Sequence, residues 1–197
     1  MIQELSKFLP KNSIKLVEEI IIEHPIQLKI VNNRKTKHGD FKRGNNGFFQ
    51  ITINNNLNNY QFLLTLIHEI AHFTTFKKNG HVKPHGIEWK LNFQELMLPF
   101  LQPSIYPSEI LPYLAHYLKN PKASTGSDVK LTLALKQYDE MSGKNFIFEV
   151  QQGSIFSFNN RTFRKGTKRR TRFECVEVQS NRIYLFNQNA EVEILKN

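Results

Sequence analysis

From Tyr60 to about Lys78 the chain carries its strongest helical pattern, and set into that pattern is the run His68-Glu69-Ile70-Ala71-His72. Leu63, Leu66, Ile67, Ile70 and Phe73 recur at spacings of three and four, the stripe of an α-helix. With Leu64 and Ala71 added, most of the circumference is apolar, so the helix is expected to lie inside a core. Ionisable groups are costly there unless something compensates them. Two imidazoles and a carboxylate on one buried helix point to a metal ion as the compensation.

Residues four apart on a helix differ by ~40° in direction and ~6 Å along the axis. His68 and His72 therefore share a face and can hold one ion. Zinc favours nitrogen ligands in a tetrahedral set. Glu69 turns toward the open side of such an ion. There a carboxylate can act as general base toward a water that zinc has acidified. The alternative is a polar trio on a solvated helix face, which the apolar surroundings disfavour.

A catalytic zinc site has three protein ligands and one open position. The candidates for the third are His81 and His85. Gly80 is the expected helix stop, and by then the chain has moved ~12 Å from His72. His81 is stranded at that end. The extended return from Gly80 to His85 spans ~16 Å, enough to bring His85 back, so His85 is preferred and His81 is held in reserve. Glu88 is either a hydrogen-bond partner for a ligand imidazole or a helix N-terminal acid. Trp89 is expected to pack beneath the site. His24, His38 and His116 read as ordinary surface or partly buried histidines. Tyr60 and Tyr106 are the phenols available to stabilise an oxyanion.

The pair of segments His68-Glu69-Ile70-Ala71-His72 and His85-Gly86-Ile87-Glu88-Trp89 resembles the SprT-like metallopeptidases, relatives of the Spartan protease. The resemblance covers roughly residues 10–100, with Arg34 and Gly39 upstream in a loop and a strand at Phe49–Ile53. It implies a zincin-like domain with one zinc ion on His68, His72 and His85, and Glu69 as the catalytic base. It also implies a cleft beside Phe49–Ile53 in which an extended substrate adds as a strand. The implied substrates are DNA-associated or DNA-crosslinked proteins. Many relatives end in a cysteine-rich zinc ribbon, whereas this chain has Cys175 alone.

The class expected is α+β. Residues 1–118 read as the metallopeptidase domain, 119–144 as a connector, and 145–197 as a small antiparallel β domain, a degenerate ribbon. In the first part, two short helices meet at Lys11-Asn12-Ser13, with Ser13 as an N-cap. A strand follows at 27–31, then a polar loop or irregular hairpin at 32–46. Leu131, Leu133 and Leu135 alternate like a strand, with a short helix as the alternative. In the last part, strands are expected at 146–150, 154–158, 171–178, 182–186 and 191–195.

A net charge of +10 suits polyanionic partners and a generically basic protein equally, so the distribution of the charge decides. Arg161, Arg164, Lys165, Lys168, Arg169, Arg170 and Arg172 fall within twelve residues that hold no acid. Phe163 and Phe173 lie in and beside that run. Such a hairpin can contact DNA without sequence specificity, its cations on phosphates and an aromatic on a base. The alternative is a basic edge that discourages sheet aggregation. Arg34, Lys35, Lys37, Lys42 and Arg43 form a second cluster. With no apolar run of ~20 residues, no apolar leader at the N-terminus and one cysteine, a membrane location is not expected and the cytoplasm is. A nucleic-acid-binding protein with a structural or vestigial zinc site, and a peptidase unrelated to DNA, are the competing readings.

Overall fold

In the computed structural model the histidine run is one helix, α3 (Asn59–Asn79), but the chain reaches it through elements numbered first. The structure describes residues 2–24, 26–34, 36–44, 47–139 and 144–195. Lys35 of the second basic cluster and residues 140–143 of the expected connector lie outside these. The fold is mixed α+β with two sheets. Contacts divide it into two compact units, Met1–Asp139 and Glu140–Asn197. Among the described residues no helix is long and apolar enough to cross a membrane.

The first unit opens with α1 (Ile2–Leu5) and α2 (Ile14–Ile22). Ser13 does not cap α2 with its side chain; its hydroxyl donates backward to the Pro10 carbonyl at 2.7 Å. Next come β1 (Ile26–Val31), β2 (Gly39–Arg43) and β3 (Phe49–Asn54), in the spatial order β1-β3-β2. β1 runs parallel to β3, from Ile26↔Phe49 to Val31↔Asn54. β2 runs antiparallel to it, from Gly39↔Ile53 to Arg43↔Phe49. The stretch read as a polar loop or irregular hairpin therefore holds one arm of a hairpin, β2, with β3 as the other. None of the residues of β2 is fully buried, so no alternation marks it.

α3 follows, packed against β2 and β3 and against α4 (Ile87–Met97). Its start is set by Asn58, whose Oδ1 accepts the Gln61 N–H at 2.9 Å, a satisfied N-cap. Its end is Gly80, with φ 68° and its N–H on the Phe76 carbonyl. Phe62, Leu63, Leu64, Leu66, Ile67, Ile70, Ala71 and Phe73 are inaccessible to solvent, so the helix is apolar all round because it runs through the core.

α5 (Leu111–Leu118) and α6 (Val129–Lys136) complete the unit. α6 lies where a connector was expected, and its Leu131, Ala134 and Leu135 are buried in the core. Asp128 decides the local structure: its Oδ1 accepts the Leu131 N–H at 3.1 Å and starts a helix across the alternating leucines.

The second unit is a six-stranded antiparallel sheet. Its strands are β4 (Asn145–Phe146), β5 (Ile155–Phe158), β6 (Arg161–Arg169), β7 (Arg172–Glu177), β8 (Ile183–Asn187) and β9 (Glu191–Ile194), in the order β4-β9-β5-β6-β7-β8. The expected strand 146–150 is extended only at its start. Ile147 and Val150 then turn into the core with Phe156, Phe163, Phe173, Cys175, Phe186 and Val192. Cys175 is fully buried among these apolar side chains.

Candidate metal centre

His68 and His72 share one face of α3, as helical spacing requires. The third imidazole arrives on the turn before α4. His85 has φ 58°, a left-handed conformation that costs a non-glycine residue about 1–2 kcal/mol. The turn is closed by the Gly86 N–H on the Lys83 carbonyl at 2.9 Å. α4 is locked to α3 by Asn92, whose buried Nδ2 donates to the Ala71 carbonyl at 3.1 Å and to Thr75 Oγ1 at 2.9 Å. A strained residue held in place by its surroundings is characteristic of functional sites.

The three rings meet through their Nε2 atoms. His68 and His72 are 3.2 Å apart there, His68 and His85 3.2 Å, and His72 and His85 2.9 Å. One shared proton can join a pair of neutral imidazoles but leaves the third lone pair facing the other two. A cation at the centre satisfies all three. Zn–N bonds of 2.0–2.1 Å in a tetrahedral set separate the nitrogens by about 3.3 Å, so the triangle fits zinc with a small expansion.

Electrostatics favour the same protonation state. Burial, reinforced by the charges of His72 and His85, lowers the pKa of His68 to about 2. Burial and the charge of His85 lower that of His72 to about 4. Burial also lowers that of His85. Neutral imidazole is the form that binds metal. Trp89 is the floor, its ring centroid 4.6 Å from His68, 5.2 Å from His72 and 4.6 Å from His85.

Glu69 is 7% exposed and sits beside this triangle without joining it. Burial, helped by Asp40, raises its pKa to about 8, against the opposing pull of Arg34, Lys37 and a hydrogen bond from the Phe41 N–H. With a dication alongside, the ionised form is favoured. β2 approaches Glu69 closely. A Cβ on Gly39 would stand 2.6 Å from Glu69 Oε1 and 2.8 Å from Thr65 Cγ2. A cavity of about 220 Å³ opens here, lined by His38, Gly39, Thr65, His68, Glu69 and Ser124 among others.

His81 is exposed and lies outside the cluster, edge-on to Phe76 at 6.1 Å. His24 packs on Phe73, and His116 is exposed on α5. Glu88 stands in the first turn of α4. Tyr106 is fully buried with its hydroxyl on the Tyr60 carbonyl at 3.3 Å, and Tyr60 packs on Tyr106 and Tyr138. Neither phenol lines the cavity. Residues that motif reading passed over do line it: His38 before β2, and Ser124 before α6. They come to Glu69 from distant parts of the chain, and no spacing in the sequence links them to it.

β3 is the central strand, paired with β1 on one side and β2 on the other. A peptide cannot add to it, which corrects the expectation of strand addition at Phe49–Ile53.

The basic run of the second unit is divided by strand alternation. Lys165 points inward and is 5% exposed; its Nζ donates to the Val150 carbonyl and lies 4.2 Å from the Phe173 ring centroid. It is not placed to meet a phosphate. Phe163 and Phe173 are in the core at 2% and 8% exposure, so neither is available to stack on a base. Arg161 pairs with Glu177 and lies over Tyr184, and Arg169 pairs with Glu174. Arg164, Lys168, Arg170 and Arg172 are exposed, and none of them forms an ion pair among the described residues. In the other basic cluster Lys37 and Lys42 pair with Asp40, and Arg34 binds Asn54 and Thr52.

No curated protein and no solved structure matches the chain. Residues 24–106, which hold β1 to α4 with all three histidines and Glu69, match the model of the SprT-like family.

Proposed function

We propose that this chain is a zinc-dependent endopeptidase of the SprT-like type, cytoplasmic and acting on proteins associated with or crosslinked to DNA. The observation that carries the reading is the convergence of His68, His72 and His85 Nε2 within 3.2 Å of one another, beside a buried Glu69 that is not part of the triangle. The first unit is read as zincin-like, running on to Asp139. The second is read as a separate basic module in the place of the relatives' zinc ribbon.

Zinc bound to the three imidazoles supplies a Lewis acid that acidifies water and polarises a carbonyl. Glu69 does the proton work. It takes a proton from the water whose oxygen bonds to the scissile carbonyl carbon. It then gives that proton to the departing nitrogen as the C–N bond breaks, leaving a carboxylate and an amine. The Phe41 N–H aims the carboxylate, and the narrow gap at Gly39 keeps it from turning away. Strand-like pairing by a substrate falls to β2, since β3 has no open edge. Arg164, Lys168, Arg170 and Arg172 supply the phosphate contacts.

The test is cleavage of casein, and of a protein crosslinked to DNA, by the zinc-loaded full chain. Cleavage is expected to stop with a chelator and to return with zinc. DNA affinity is expected to fall with a log–log salt slope of about −3 to −4 for four phosphate contacts. A zinc-loaded protein that binds DNA and cleaves neither substrate overturns the peptidase reading in favour of a structural zinc site. Cleavage with no salt dependence on the crosslinked substrate removes the DNA part alone.

Gly39→Ala gives a further expected result. The added methyl overlaps Glu69 Oε1 and Cγ, so the carboxylate must move by a sizeable fraction of an ångström. Displacements near 1 Å cost on the order of 10²-fold in rate. A fall in kcat/KM of about tenfold to hundredfold with full zinc content is expected, read from casein cleavage and metal analysis of the same sample. An unchanged rate would show that the gap at Gly39 has no bearing on the base.

A further inference from the structure

His38 belongs to no motif, yet it stands on the wall of the cavity that contains His68 and Glu69. Its side chain is exposed, and both its ring and its backbone are held. Gln61, buried on α3 two turns before His68, places its amide nitrogen 3.3 Å from His38 Nδ1. The His38 carbonyl accepts the Asn54 N–H at 2.9 Å and Arg34 Nη2 at 3.5 Å. The Lys37 carbonyl next to it accepts Asn54 Nδ2 at 2.9 Å. Asn54 is inaccessible to solvent. Two buried amides and a guanidinium thus fix an exposed imidazole at the cavity wall.

We propose that His38 contacts the substrate, donating Nε2–H to a carbonyl oxygen of the peptide bound over Glu69, and that Gln61 is its positioning residue. The inference rests on the peptidase reading. A ring nitrogen that accepts an amide N–H carries no proton, so Gln61 places the proton of the neutral ring on Nε2. The donor is thereby set before substrate arrives, which is how a polar contact gains strength in a cavity. The phenols expected for such a role are turned elsewhere: the Tyr106 hydroxyl is committed to the Tyr60 carbonyl.

Two conservative substitutions separate a contact from a packing role. Glutamine reaches the place of Nε2, and asparagine only that of Nδ1. His38→Asn keeps a partner for Gln61 and loses the outer donor; His38→Gln does the reverse. Each is made in the zinc-loaded full chain and assayed on fluorescein-labelled casein. Each is also made in the Glu69→Gln background, where the Kd of a fluorescein-labelled casein peptide is read by anisotropy without turnover. His38→Ala and His38→Asn are expected to lose about tenfold to hundredfold in kcat/KM and in peptide affinity, and His38→Gln to recover most of that loss. Gln61→Leu is expected to lose less than His38→Ala. Quenching of Trp89 by added Co²⁺ is expected to follow the wild-type titration throughout. His38→Ala within twofold of wild type, or His38→Asn matching wild type while His38→Gln does not, overturns the proposal. If the wild type cleaves no casein and Glu69→Gln binds no peptide, the peptidase reading has failed and this one falls with it. An active wild type with a flat His38 series is a failure of this inference alone.

Discussion

Glu69→Gln is expected to leave zinc in place and to lower kcat/KM by on the order of 10²–10⁴, the range that a positioned general base contributes. The amide has nearly the shape of the carboxylate. It fits between Gly39 and Thr65, and its oxygen can accept the Phe41 N–H as the carboxylate does. What it lacks is an oxygen basic enough to take a proton from water. Because Glu69 stands outside the imidazole triangle, metal content and metal affinity have no reason to change. The measurement is casein cleavage beside zinc content. A variant that keeps more than a tenth of the wild-type rate, with zinc bound, would remove Glu69 from the mechanism. The comparison with Gly39→Ala is informative because one change deletes the base and the other misplaces it. The misplaced base is expected to retain more activity than the deleted one.

α3 was legible in the sequence because every local signal agrees. Its stripe of leucines and isoleucines and the Gly80 stop describe one buried helix, and the structure adds the Asn58 cap. The choice of His85 over His81 rested on chain reach alone, and the structure brings His85 into the triangle and leaves His81 on the surface. β2 was legible only as one arm of an irregular hairpin: its partner β3 follows within six residues, but its close neighbour Glu69 is distant in sequence. With Gly39, Asp40, Lys42 and Arg43 it has the composition of a loop. α6 was misleading for a different reason. Leu131, Leu133 and Leu135 alternate, but the Asp128 cap and burial of Leu131, Ala134 and Leu135 at helical spacing decide the outcome.

The basic run shows the same limit from the other side. Composition counts seven cations equally, whereas a strand sends neighbours to opposite faces. Lys165 goes inward to backbone carbonyls and Arg164 outward. Glu174 and Glu177, which follow the run in sequence, neutralise Arg169 and Arg161 across the sheet. Four of the seven are left for a polyanion. A count of charges therefore overstates the electrostatic footprint wherever a strand pairs its cations with acids from its neighbour.

Removing one imidazole is expected to have the other large effect, and its sign depends on zinc. Four-ligand zinc sites bind with about 10–16 kcal/mol, so each ligand is worth roughly 3–4 kcal/mol, a factor of about 10²–10³ in Kd. His85→Ala is the cleanest case, because His85 is only half-buried and occupies a left-handed turn. In the metal-free protein the three lone pairs repel, and deleting one of them relieves that repulsion; alanine leaves the left-handed strain in place. A stability change within about 0.5 kcal/mol is expected there, as for an ordinary surface substitution. With zinc at a thousand times the wild-type Kd, the wild type gains about 4 kcal/mol by linkage. The variant gains only about 0.4–1.4 kcal/mol, because its Kd is that much weaker. Thermal unfolding with and without zinc reads this difference. Co²⁺ quenching of Trp89, the only tryptophan, reads the affinity directly. His81→Ala is the control, expected to titrate as wild type. A packing residue would destabilise both forms equally. If His85→Ala did so, or bound Co²⁺ as the wild type does, His85 would not be the third ligand, and the claim for a three-histidine centre would fail with it.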